Sequence, residues 1–199
     1  MKKIILFSAV LTLFFSARVL AQPVTDDVIF NVDLQNLFTI TVESGDIQNA
    51  TVTTAADYQN GVIPVSGVSE VSVESTSDWY IEISGPDLTG TAGTIPVDNI
   101  GVYVTDGTGS YTLGTEYVSA YTAAATCMGV TTADQLLVDV GAGQTNAGGK
   151  NENWFNLNWL FGTMQGTMNA TSLLDQIANG DFVSPGQAST TLTLTATQY

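Results

Sequence analysis

Apolar side chains recur at every second position in one short stretch of this sequence after another. "VIFNVDL" puts Val28, Phe30, Val32 and Leu34 on one face, and "LFTITVES" does the same with Phe38, Ile40 and Val42. "VSEVSVES" continues the pattern, and "DWYIEIS" sets Trp79, Ile81 and Ile83 against Tyr80 and Glu82. Farther on, "NWFNLNWLF" aligns Phe155, Leu157, Trp159 and Phe161, and the chain closes on "GQASTTLTLTATQY" with Leu192, Leu194 and Ala196 in register. A period of two is that of a strand with one buried face. Each such face needs an opposing apolar layer, and two antiparallel sheets packed face to face supply it. The pattern predicts an all-β fold, a single antiparallel β-sandwich over residues 22–199, with Phe30, Val32, Phe38, Ile40, Trp79, Ile81, Ile83, Phe155, Leu157, Trp159 and Leu194 in its core.

Turn chemistry punctuates these runs at Ser44-Gly45-Asp46, Asn60-Gly61 and Gly85-Pro86. "IGVYVTDGTGSYTL" reads as a hairpin about Asp106-Gly107, and "GAGQTNAGGK" as a long flexible loop. Helix is scarce. Ser172 to Asn179 makes two turns, with Ser172 and Asp175 in capping-box spacing and Gly180 as the stop. Thr132 and Gln135 allow another short helix over Ala133–Leu137, where "LLVDV" reads equally as a strand. "GTMQGTM" is a local duplication too short to be a structural repeat.

The amino terminus reads as a secretory signal. Lys2 and Lys3 precede an apolar run from Ile4 to Phe15, too short for an ordinary span, and "VLAQ" offers a small-residue cleavage site after Ala21. The expected product, residues 22–199, is secreted or held at the cell surface with no inserted segment. It retains Lys150 as its one basic side chain against all 19 acids of the sequence. Such a surface repels phosphate backbones and anionic lipid headgroups, which argues against nucleic-acid and membrane partners.

The sequence has no histidine and one cysteine, Cys127. Without histidine there is no Ser-His-Asp or Cys-His arrangement and no zinc site of the usual kind. Cys127, in the small apolar run "AAATCMGV", has no internal disulfide partner and reads as a buried thiol. Paired carboxylates of the glycosidase type are not visible, because no strand carries two inward-facing acids. The chain is therefore read as a non-enzyme, with no cofactor expected. Calcium suits carboxylates, but Asp26-Asp27 and Asp106 form only loose clusters without the spacing of a calcium loop. Asn49-Ala50-Thr51 and Asn169-Ala170-Thr171 match the glycosylation pattern and are given no role.

Two features point to binding. On "NWFNLNWLF" the face opposite the core carries Trp154, Asn156, Asn158 and Leu160. An outward tryptophan beside amides suits a carbohydrate-binding platform, with a surface glycan as partner, and it suits a protein interface for the same amphipathic reason. The second feature is the ending. Residues 189–197 hold no lysine, proline or charge, the usual protections of a sheet edge.

Counted back from Tyr199, Ala196, Leu194 and Leu192 stand fourth, sixth and eighth, and Gly186 fourteenth. This register resembles the C-terminal pattern of pilins assembled by periplasmic chaperones and ushers, including the spore-coat-U type of secreted subunit. Here the aromatic stands last, with Gln198 in the penultimate place. The resemblance implies an immunoglobulin-like, pilin-like sandwich whose terminal strand pairs with an assembly chaperone and whose fold a neighbour's N-terminal extension completes. Val28, Phe30, Val32 and Leu34 are then the strand-donor segment, and Gly186, Leu192, Leu194, Ala196 and Tyr199 the acceptor region. A homo-oligomer or fibre is the expected assembly, in a structural or adhesive surface role. The alternatives are a monomer whose two ends pair within one sandwich, and a carbohydrate-binding module.

Overall fold

In the computed structural model the described residues are 35–199. The expected signal segment, Asp26-Asp27 and the expected strand-donor residues Val28, Phe30, Val32 and Leu34 lie outside them. The described strands are β1 (Phe38–Ser44), β2 (Val68–Ser75), β3 (Trp79–Ser84), β4 (Leu88–Gly90), β5 (Gly93–Ile95), β6 (Ile100–Asp106), β7 (Tyr117–Val118), β8 (Met128–Gly129), β9 (Gln135–Val140), β10 (Trp154–Phe161), β11 (Ala188–Ser189) and β12 (Thr193–Gln198). Two short helices join them, α1 (Ala55–Asn60) and α2 (Leu173–Asn179).

A five-stranded antiparallel sheet runs β1-β2-β10-β6-β8 and a four-stranded one β12-β3-β9-β7. Their inner faces form one core. Val71, Val73, Val102, Val104, Phe155, Leu157 and Trp159 come from the first, and Trp79, Ile81, Ile83, Tyr117, Leu137 and Val138 from the second. Phe155 bridges the layers, with its ring centroid 6.3 Å from that of Trp79 and 5.8 Å from that of Tyr117. The fold is an all-β antiparallel sandwich, as the alternating stretches predict. A small third sheet, β11-β4-β5, closes a second apolar cluster of Leu88, Ala92, Ile95, Leu173 and Phe182.

The helix over 173–179 forms as expected. Ser172 Oγ accepts from the Asp175 N–H at 3.1 Å, and Gly180 ends the helix in the left-handed region at φ 84°. The reciprocal half of the expected capping box is not made there, since the Asp175 carboxylate accepts from the Ser172 hydroxyl; helix α1 has the full box, with the Thr54 hydroxyl accepting from the Asp57 N–H and the Asp57 carboxylate accepting from the Thr53 and Thr54 N–H groups. Those backbone donors hold the Asp57 pKa below its usual range.

Two expectations are corrected and one open alternative is decided. "IGVYVTDGTGSYTL" is not a hairpin: β10 takes one edge of β6 along its length, and on the other β8 pairs with Gly101 and Val102 while the Tyr121 carbonyl accepts from the Val104 N–H. The chain after Asp106 instead runs beside the start of β10, with Gly107, Ser110 and Tyr111 donating to the carbonyls of Trp154, Asn151 and Glu152. It then crosses over, so that β7 pairs with β9. Residues 133–137 hold no helix, since β9 starts at Gln135 and buries both Leu137 and Val138. Val42 leaves the inner face, 40% exposed, where the β1–β2 register slips between Val42 and Ser44.

Candidate functional site

The outer sheet edges meet at one side of the sandwich. Among the described residues β1 pairs only with β2, and β12 only with β3. At one end the two edges are tied. Gln198 Nε2 donates to the Leu37 carbonyl at 3.2 Å and to Ser75 Oγ at 2.9 Å. Along the rest, no ladder hydrogen bonds join β1 to β12. The side chains at this seam pack against the core without being enclosed by it: Phe38 and Ile40 from β1, and Leu192, Leu194 and Ala196 from and beside β12.

The predicted acceptor residues are therefore only partly brought together. Leu194 pairs with Ile83 and Ala196 with Ile81 of the chain's own β3. Gly186 lies outside β12, where its bare Cα faces Ala92, and an added Cβ would stand 2.5 Å from the Ala92 Cα. Tyr199 projects from the end of the strand, 67% exposed, with its hydroxyl donating to Asp139. That bond, ahead of partial burial, pushes its pKa up to about 12.

The outer face of the five-stranded sheet is the second region. Trp154 stands across from Ser72 and beside Gly107, and Asn156 stands between Glu70 and Thr105. Gly107 lets the indole lie flat there, because a Cβ would meet Trp154 Cδ1 at 2.6 Å. Lys150 Nζ sits 5.1 Å from the Trp154 ring centroid and 2.6 Å from Glu43 Oε1. Glu43 also accepts from Ser72 Oγ at 2.5 Å. The hydrogen bond from Lys150, then that from Ser72, holds the Glu43 pKa below its usual range.

The amide N–H groups of this face are turned inward to the sheet itself. Asn156 Nδ2 donates to the Asp106 carbonyl at 2.9 Å, and Asn158 Nδ2 to Thr105 Oγ1 at 3.0 Å. Among the described residues four enclosed polar atoms bond to no protein group, Trp154 Nε1 and Asn156 Oδ1 on this strand and Gln48 Oε1 and Asn153 Oδ1 elsewhere. Leu160, expected on the same open face, is buried with Cys127 and Met168 beneath the 124–129 segment. Cys127 is a buried thiol, as read from its surroundings, and burial pushes its pKa up.

Lys150 and Glu43 escaped sequence reasoning, as did the residue that positions Lys150. The loop before it, read as flexible, is pinned by the fully buried Asn146. The Asn146 side chain accepts from the Trp79 N–H at 2.9 Å and donates to the Trp79 carbonyl at 2.8 Å, while its own carbonyl accepts from Trp79 Nε1 at 2.8 Å. The signal available was that Lys150 is the only cation after Ala21.

A shallow cleft of about 190 Å³ between Asp87, Val97, Asp98 and Thr131 is smaller than ordinary ligand pockets. Both its carboxylates accept from within the chain, Asp87 from the Val97 N–H and Asp98 from Asn169 Nδ2. Among the described residues no group of three or more Cys, Asp or Glu is placed to hold a metal ion. Asp106 Oδ1 accepts from the Leu113 N–H at 2.6 Å. A scan against protein-family models and a search of curated proteins each return no match to this chain.

Proposed function

We propose that the protein is a secreted structural or adhesive subunit of a bacterial surface fibre or coat, in which Val28, Phe30, Val32 and Leu34 of one copy lie along the β1–β12 seam of the next. The observation that carries this reading is the edge of β12. Among the described residues it is paired on one side only, it has no lysine, proline or bulge to block a further strand, and its apolar side chains are half-buried. An added strand with alternating apolar residues gains main-chain hydrogen bonds from such an edge and covers the seam. An assembly chaperone that holds the subunit before polymerisation would occupy the same edge.

The donor stretch has the complementary pattern. From Val28 to Phe38 the sequence contains neither glycine nor proline, the residues that most readily reverse a chain. Each apolar side chain of this size contributes roughly 1.5–3 kcal/mol when fully buried. Paired substitution Phe30→Asp and Val32→Asp in the full chain is expected to abolish fibres under negative stain and leave a folded monomer by sedimentation. A synthetic peptide of residues 26–36 is expected to cap wild-type assembly. Fibres of normal length from the double variant would refute strand donation, as would a wild-type protein that stays monomeric at high concentration.

A further inference from the structure

We propose that Ala196 is the selectivity socket of the seam, receiving Phe30 of the neighbouring copy, and that Gln198 stops the added strand at its far end. This rests on strand donation between copies and fixes its direction and register. The Tyr199 N–H donates to the Asp78 carbonyl at 2.9 Å, the last rung of the β12–β3 ladder. Antiparallel rungs alternate, so Thr197, Thr195 and Thr193 bond to β3, while the N–H and C=O groups of Gln198, Ala196 and Leu194 point to the open edge. Leu194 and Ala196 also turn their side chains onto the core. An added strand therefore meets free main-chain groups and apolar side chains at the same positions.

Direction follows from the tie. Gln198 joins the end of β12 to Leu37, the residue before β1, so the seam is shut where a copy's own chain enters β1. Among the described residues no hydrogen bond joins β1 to β12 at the Thr193 end. A donated strand stays attached to its own β1 through residues 35–37, which sets Leu34 at the open end and Val28 at the tie. It then runs antiparallel to β12, with Leu34 beside Leu192, Val32 beside Leu194, Phe30 beside Ala196 and Val28 beside Gln198.

Size and charge fix the register. Phe30 is the largest apolar side chain of its row and Ala196 the smallest of the row that receives it. A slip of two residues one way drives Phe30 against the Gln198 tie. A slip the other way sets Phe30 against Leu194 and carries Asp26 inward beside Gln198. A carboxylate there has no cation to meet, since Lys150, the only basic side chain after Ala21, is held by Glu43. A chain that laid its own tail in its own seam would run parallel to β12 instead, with Phe30 beside Leu194 and Ile29 beside Thr193.

The test applies a short thiol-to-thiol cross-linker to concentrated full-length protein carrying paired cysteines; Cys127 is fully buried and stays out of the reaction. Asn31→Cys with Thr195→Cys faces the middle of the strand in either direction, so it reports donation itself. Ile29→Cys with Thr197→Cys is expected to give a ladder of linked copies in denaturing gels, and Ile29→Cys with Thr193→Cys is not. A ladder from the Thr193 pair in place of the Thr197 pair overturns the register while leaving donation intact. No ladder from the Asn31, Thr195 pair, or a link confined to single chains, refutes donation. Ala196→Phe is expected to slow fibre growth about tenfold or more, as overfilling a packed site does, and Phe30→Ala in the same chain to restore it. Growth of Ala196→Phe at the wild-type rate, or a block that Phe30→Ala leaves in place, overturns the socket. Circular dichroism checks the fold of each variant, and the cross-links, made in chains that keep Ala196, decide the register even where Ala196→Phe fails to fold.

Discussion

Glu43 shows how a single carboxylate can govern a surface. It sits in the bulged stretch of β1, where the register slip turns it toward Ser72 and Lys150. Its pKa in the folded protein lies below that of an unfolded carboxylate, about 4.3. A depressed pKa means that the interaction is fully present above the unfolded value and is lost as pH falls through the folded one. Acid is therefore expected to release Lys150 from Glu43 and unsettle its position over Trp154. Trp154 emission should change as pH falls below the ordinary carboxylate range, since the Glu43 pKa is lowered. Glu43→Gln should show the released signal already at neutral pH. A variant whose emission matches the wild type at both pH values would show that Glu43 does not hold Lys150 in place. Lys150 itself carries no local sequence signal, since a glycine-rich loop with one lysine reads as solvent-exposed chain. Its position follows from Asn146, 67 residues after the strand it clamps.

Among the elements, β12 is the one whose pairing partner was hidden. Its alternation identifies a strand and its inward face, and both readings hold, with Leu194 opposite Ile83 and Ala196 opposite Ile81. Nothing local could say that the partner is β3, because strand pairing is decided by which apolar faces meet across the whole sandwich. The remaining edge can be tested directly. Thr195 is exposed and stands opposite Glu82, so Thr195→Lys puts a charge at the edge while forming a cross-strand pair. The substitution is expected to block fibre growth and to alter monomer stability by no more than about 0.5 kcal/mol, as usual for surface positions. Unimpeded growth measured by light scattering would remove β12 as the assembly edge. The same limit of local reading explains "IGVYVTDGTGSYTL": the turn residues are real, but the strand before them already has two partners, so the chain leaves the sheet.

At the scale of the molecule, the two large sheets depend on the contacts between their inner faces, and Phe155 is the clearest single link. It is fully buried on β10 and meets Trp79 and Tyr117 of the opposite sheet. Phe155→Ala is expected to cost about 3–5 kcal/mol, the lost transfer energy plus the cavity left between two rings that cannot collapse together. Urea unfolding followed by circular dichroism measures this. A loss below about 1 kcal/mol, well under the range for such truncations, would mean that the layers hold without this contact. Single domains have total stabilities of only about 5–15 kcal/mol, so the variant should also be visibly prone to aggregation.

What the sequence determined by itself is the local alternation and the capping chemistry. The period of two in "VSEVSVES", "DWYIEIS" and "NWFNLNWLF" dictates strands and their buried faces, because a strand's side chains alternate whatever its partner. Ser172, Asp175 and Gly180 likewise dictate both ends of α2, because capping acts within four residues. Tertiary structure alone decided the rest: that β9 takes a segment equally suited to helix, that Leu160 is covered by Cys127 and Met168, and that Lys150 comes to rest on Trp154 beside Glu43. Each of these depends on atoms far apart in the chain, and contacts of that kind are chosen by the packing of the whole sandwich, not by the residues on either side.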